Sequence, residues 1–116
     1  AFRPAAEVRR LFGRRKRLRR FTPNTIIDPR ELLEHLDEIR RTGVAVDREE
    51  LVLGLRCLGA PVLDFTGYAV AAMSVSAPAA TLSDERVAEL RSMLMEAVAE
   101  VSKALGGPAD PRRAAR

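Results

Sequence analysis

Four side chains in this sequence have the types and spacing to meet a small polar ligand: Asp47, Cys57, Ser74 and Ser76. Leu53, Leu55 and Cys57 alternate along one run of residues, and Tyr68, Val70, Ala72, Ser74 and Ser76 along the next. In extended strands each of those sets points to a single face. If Asp64 to Gly67 is a four-residue turn, Leu63 opposes Tyr68, Cys57 opposes Ser74 and Leu55 opposes Ser76. Directly opposed residues point the same way, so a thiol and two hydroxyls share one surface, with Asp47 at the mouth of the neighbouring strand. Such groups suit a carboxylate or keto-acid ligand, whose oxygens accept hydroxyl protons. The competing reading makes Cys57 a small buried hydrophobe and lets the serines bond to the backbone.

The same residues speak against catalysis. A cysteine nucleophile needs a nearby base, and the one histidine, His35, lies on a different element at the edge of an apolar stripe. That position suits a partly buried helix histidine, and no second His or Cys stands at metal-ligand spacing from it. No glycine-rich phosphate loop or nucleophile elbow is present. The expectation is a protein that is not an enzyme, with no catalytic residues, no cofactor and no metal.

The elements that position these residues follow from periodicity. Pro4 to Phe12 predicts a short amphipathic helix closed by Gly13. Phe21 to Ile27, interrupted by Pro23, reads as extended or irregular. Asp28 then caps a helix, with Pro29 at its first position and Glu31 placed for a capping box. Leu32, Leu33, Leu36 and Ile39 form its buried stripe, and Gly43 its left-handed end. From Val44 the period becomes two. Val44 to Val46 is a short strand, Leu53 to Val62 a second and Tyr68 to Ser76 a third, the last two making an antiparallel hairpin. Thr81 or Ser83 caps a long helix through about Leu105, with Val87, Leu90, Leu94, Ala97, Val101 and Ala104 along its apolar side. Residues 107–116 are expected to form a disordered tail.

Composition bounds the class. At 116 residues and 47% hydrophobic, the chain can bury a core as one domain or part of a larger one. A single cysteine excludes an internal disulfide framework, and no apolar run approaches a membrane span. A cytoplasmic protein without membrane association is expected. The net charge of +4 is concentrated at the ends: residues 1–20 hold nine basic side chains and one acid, whereas 21–107 is net negative. Gly13 to Arg20 is either a phosphate-binding patch or a solvated loop, and it lacks the interleaved aromatics that stack on bases.

Three ordered stretches resemble a known family. They are Gly43-Val44-Ala45-Val46-Asp47-Arg48-Glu49-Glu50, Gly54-Leu55-Arg56-Cys57-Leu58-Gly59-Ala60-Pro61-Val62, and Ala71-Ala72-Met73-Ser74-Val75-Ser76-Ala77-Pro78, with Asp64 and Gly67 between the last two. Together with Thr22-Pro23-Asn24-Thr25-Ile26 and the closing helix into Val101-Ser102-Lys103-Ala104-Leu105-Gly106, this series is similar to the C-terminal effector-binding domain of IclR-type bacterial transcription regulators, over residues 4–106. The resemblance implies an α+β, GAF-like antiparallel sheet flanked by helices. It implies an effector-binding role for Asp47, Cys57, Ser74 and Ser76. It also implies a small carboxylic or aromatic acid as effector, operator DNA reached through a winged helix-turn-helix outside this chain, and a homodimer or homotetramer. Residues 1–106 would then be the C-terminal part of that domain, lacking its first portion. A different class, a small basic module that contacts nucleic acid or protein without sensing a ligand, is the alternative.

Overall fold

The change of period at Val44 divides the fold. Two helices precede it, α1 (Ala5–Phe12) and α2 (Pro29–Thr42); three strands follow, β1 (Ala45–Arg48), β2 (Leu55–Leu63) and β3 (Ala69–Pro78); then α3 (Asp84–Ala104) and a short 3-10 turn, Pro111–Arg113. The computed structural model describes residues 1–13 and 17–114. Arg14, Arg15 and Lys16, the centre of the basic run, lie outside the described residues. Among the described residues no helix is long and apolar enough to cross a membrane.

The strands form one antiparallel sheet in the order β1-β2-β3. Its core face carries Leu58, Ala60 and Val62, which pack with Val44, Leu82 and the α3 residues Val87, Leu94 and Val98. α3 therefore covers one side of the sheet. The inward stripe of α3 runs through Val87, Leu94, Val98 and Ser102, while Met93, Val101 and Leu105 face outward. The helical spacing predicts Val101 on the apolar side, but Ser102 takes its place because its hydroxyl accepts the Leu63 N–H at 3.0 Å, satisfying a buried strand donor.

Capping follows the sequence closely. The Asp28 carboxylate accepts the Arg30 N–H at 2.8 Å, Pro29 opens α2, and Gly43 closes it at φ 80°. Ser83, rather than Thr81, caps α3 by accepting the Arg86 N–H. Among the described residues Glu31 returns no bond to Asp28, so the capping box is half formed. The stripe Leu32, Leu33, Leu36 and Ile39 is only half-buried, because α2 rests on the Pro111–Arg113 turn more than on the sheet.

The expected disorder beyond Gly107 is not what the described residues show. Gly107 donates to the Ser102 carbonyl at 2.7 Å, Asp110 caps the 3-10 turn and Pro111 is buried. A Cβ on Gly107 would sit 2.2 Å from the Leu63 carbonyl oxygen, so only glycine lets the chain turn back against β2. Composition alone suggests fraying; this close backbone approach overrides it.

Candidate functional site

The hairpin register differs from the expected one by two residues. Cys57 pairs with Ser76, not Ser74; Ser74 faces Gly59; and Leu55 faces Pro78. Two separate one-residue departures produce the shift. The loop is one residue longer than expected, since Leu63 pairs with Ala69 rather than Tyr68, and a bulge follows as Val62 pairs with Ala71. Within the loop the Asp64 carboxylate accepts the Thr66 hydroxyl at 2.6 Å and the N–H groups of Thr66 and Tyr68, stabilising the longer turn. The Thr66 hydroxyl chiefly holds the Asp64 carboxyl below its ordinary pKa. A slip of one residue would have thrown the serines to the other face; two slips restore it.

Three of the four singled-out residues consequently form one row across the sheet. Asp47 on β1 pairs with Cys57 on β2, which pairs with Ser76 on β3. The Ser76 hydroxyl lies 3.1 Å from the Cys57 sulfur and donates to it. Two pairs further along, on the same face, Ala45, Gly59 and Ser74 make a second row of small residues. Gly59 has no special backbone requirement, and a Cβ there would meet only the Met73 carbonyl oxygen, at 3.9 Å. The glycine thus leaves a shallow hollow between Cys57 and Ser74.

This face is opposite to α3 and, among the described residues, is open around Cys57, Ser74 and Ser76, whereas Pro61 further along it is buried. Ser74 and Ser76 are exposed, and Asp47, Cys57 and Gly59 are half-buried. Cys57 is a free thiol, not a sealed core hydrophobe, and among the described residues the Ser74 hydroxyl makes no protein hydrogen bond. The serines therefore do not spend their hydroxyls on the backbone. The shared polar surface expected from the alternation is here an open face. Asp47 sits at its rim, its Oδ1 accepting the Glu50 N–H at 2.8 Å.

The other side of β1 borders a separate groove of about 1020 Å³, between α2 and the start of α3, lined by His35, Ile39, Val46, Arg48 and Arg56 among others. It contains none of the four site residues. Arg56 is directed away from Cys57: its guanidinium donates to the Leu82 carbonyl at 2.6 Å and to Asp84 at 2.7 Å. That bond holds the Asp84 carboxyl below its ordinary value. His35 is half-buried on α2, as its place on the stripe predicts. Among the described residues no cluster of three His, Cys, Asp or Glu side chains could hold a metal ion.

Sequence reasoning missed the segment that supports Asp47. Thr22 is buried, and its hydroxyl donates to the Glu49 carbonyl at 2.7 Å; Thr25 donates to the Glu50 carbonyl at 2.5 Å. The available signal was a threonine pair flanking Pro23-Asn24, a composition that makes side-chain-to-backbone turns.

Comparison with known proteins agrees with this fold. The family described as the bacterial transcriptional regulator IclR C-terminal domain matches residues 1–103. The HTH-type transcriptional regulator BhcR of Paracoccus denitrificans is 44% identical over 89 residues, covering 77% of this chain and 32% of BhcR. The chain thus spans about a third of that relative's length. The crystal structure of the C-terminal domain of the Escherichia coli regulator KdgR superposes with a TM-score of 0.80 at 36% identity, over 90% of this chain and 63% of that one. The inducer-binding domain of the Acinetobacter transcription factor PobR, solved as a double mutant with 3-hydroxybenzoic acid, gives 0.76 at 26% identity, over 85% of this chain and 57% of that one. With an α+β sheet of the same form and a match over nearly its whole length, this chain belongs to the IclR family of bacterial transcriptional regulators, within their C-terminal domain.

Proposed function

We propose that this chain is the effector-sensing portion of a DNA-binding transcriptional regulator, and that the open sheet face takes a small carboxylic or aromatic acid. The observation that carries the reading is the placement of Asp47, Cys57, Ser74 and Ser76 on one uncovered face around the gap at Gly59. Hydroxyls donate to a carboxylate, and the Asp47 carboxylate accepts from a ligand hydroxyl. A hydroxy acid carries both complements, which fits the hydroxybenzoic acid bound by PobR. The remaining walls of the pocket would come from the part of the domain outside this chain, since KdgR's C-terminal domain is longer than the matched region.

The mechanism is a shift of population. Effector binds one arrangement of subunits better, and a helix-turn-helix outside this chain reads the change at the operator. Subunits paired as a dimer or tetramer, working in the cytoplasm, complete the reading. Titration calorimetry of the full-length protein with 3-hydroxybenzoate and pyruvate tests it. A lost hydrogen bond to a charged ligand group lowers affinity by about 10- to 100-fold. Ser74→Ala and Ser76→Ala should each show a loss of that order; heats equal to wild type would remove the site assignment.

A further inference from the structure

Resting on that reading of the site, we infer that Thr22 is a positioning residue for Asp47, acting through the peptide that joins Glu49 to Glu50. β1 ends at Arg48, and the next residue, Glu49, has φ 63°, the one non-glycine residue with positive φ among the described residues. A left-handed glutamate is held only where its surroundings over-determine it. Here one four-residue segment holds three consecutive carbonyls. Asn24 Nδ2 donates to Arg48 O at 3.2 Å, Thr22 Oγ1 to Glu49 O at 2.7 Å and Thr25 Oγ1 to Glu50 O at 2.5 Å.

The two threonine hydroxyls are themselves fixed from behind. Thr25 Oγ1 accepts the N–H groups of Phe21 and Thr22 at 3.1 and 2.9 Å, and Thr22 Oγ1 accepts the Asn24 N–H at 3.1 Å. Glu49 adds a bond of its own, its carboxylate accepting the Gly54 N–H at 2.6 Å.

The peptide plane makes the connection to the site. The Glu49 carbonyl and the Glu50 N–H belong to one rigid trans unit and point in opposite directions. Thr22 holds the carbonyl end, and the N–H end donates to Asp47 Oδ1 at 2.8 Å. Were this peptide to flip, its carbonyl would face the Asp47 carboxylate and repel it. The Thr22 hydroxyl is thus one end of a hydrogen-bond chain whose other end is the carboxylate at the rim of the open face, and each bond in such a chain polarises the next. Thr25 and Asn24 hold the peptides on either side.

Two measurements on the full-length protein test the link. Amide hydrogen exchange reads it without a ligand: Thr22→Val should speed exchange at Glu50 by about tenfold, the value of one hydrogen bond. Exchange at Leu58 in the core should stay unchanged, and Thr22→Ser should restore the wild-type rate at Glu50. Should Thr22→Val fail to fold, Thr22→Ala, which removes the same hydroxyl donor without a branched side chain, carries the same test. Unchanged exchange at Glu50, or equal acceleration at Leu58, overturns the inference.

Calorimetry with 3-hydroxybenzoate and pyruvate supplies the second readout. If Thr22 acts through Asp47, Thr22→Val weakens binding in the wild type and adds nothing in an Asp47→Ala background. Full additivity, or loss with Asp47→Ala but none with Thr22→Val, overturns the inference and leaves the site reading intact. Unchanged affinity in Asp47→Ala removes the site reading instead, and exchange at Glu50 then decides the positioning link alone.

Discussion

The two faces of the three-stranded sheet make opposite use of neighbouring residues. Leu58 is 0% exposed beneath α3, whereas Cys57, one residue earlier, looks onto the open face beside Ser76. On the covered face the residues are branched or aliphatic and interlocked with Val87, Leu94 and Val98. Around Gly59 on the open face they are small or polar: Ala45, Gly59, Ser74 and Ser76. Burial of a leucine stabilises by about 1.5–3 kcal/mol, while an exposed serine contributes almost nothing to stability. One sheet thus separates the groups that hold the fold from those free to meet a ligand, and substitutions should respect that division.

The strongest way to break the comparison is to alter consecutive residues of β2. Leu58→Ala should cost about 2–5 kcal/mol, because the site is enclosed on every side and cannot collapse fully. Cys57→Ala should cost under about 1 kcal/mol. Urea unfolding of the two variants measures both. Comparable losses would mean that the open face is packed in the intact protein by something as tight as α3.

How far the sequence reveals this division depends on which physical signal is local. Strand alternation identifies the face shared by Cys57, Ser74 and Ser76, because parity survives the two-residue change of register. The register itself is not local: it depends on Asp64 gathering the Thr66 and Tyr68 N–H groups into a five-residue loop, and on the bulge near Val70. Asp28, Pro29, Gly43 and Ser83 mark helix ends because capping involves residues two or three apart. By contrast, the Thr22–Glu49 and Leu63–Ser102 bonds join residues 27 and 39 positions apart, and no periodicity encodes them. The same holds for Pro111, whose burial depends on Gly107 passing close to Leu63.

A middle-sized effect is expected where a polar group enters the covered face. Ser102→Ala removes the acceptor for the Leu63 N–H in a fully buried setting, and an unpaired buried donor costs about 1–3 kcal/mol. Ser74→Ala, the same chemical change on the open face, should alter stability by no more than about 0.5 kcal/mol. Thermal unfolding of the pair therefore sharpens the contrast with chemistry held constant. Equal midpoints for Ser102→Ala and Ser74→Ala would show that Leu63 finds another acceptor and that α3 is not anchored at its end.

The smallest effect belongs to the rim of the covered face, where Arg56 bonds to Asp84 in the first turn of α3. The Arg56 hydrogen bond lowers the folded-state pKa of Asp84 below the ordinary carboxylate value. A depressed folded value means that the carboxylate stabilises the native state above its unfolded pKa. That contribution disappears as pH falls through the folded value, in the region below about pH 4. Because Asp84 is exposed, solvent screening keeps the contribution small. Asp84→Asn should therefore unfold slightly earlier than wild type at pH 6, and the gap should close on acidification. Asp64 and Asp110, shifted in the same direction by Thr66 and Arg112, retain acid sensitivity of their own. Stability measured from pH 6 to pH 3 checks the closure, and acid binding at the open face should be equal in both proteins. A change in ligand affinity in Asp84→Asn would show that the two faces are coupled through β2, which their separate packing argues against.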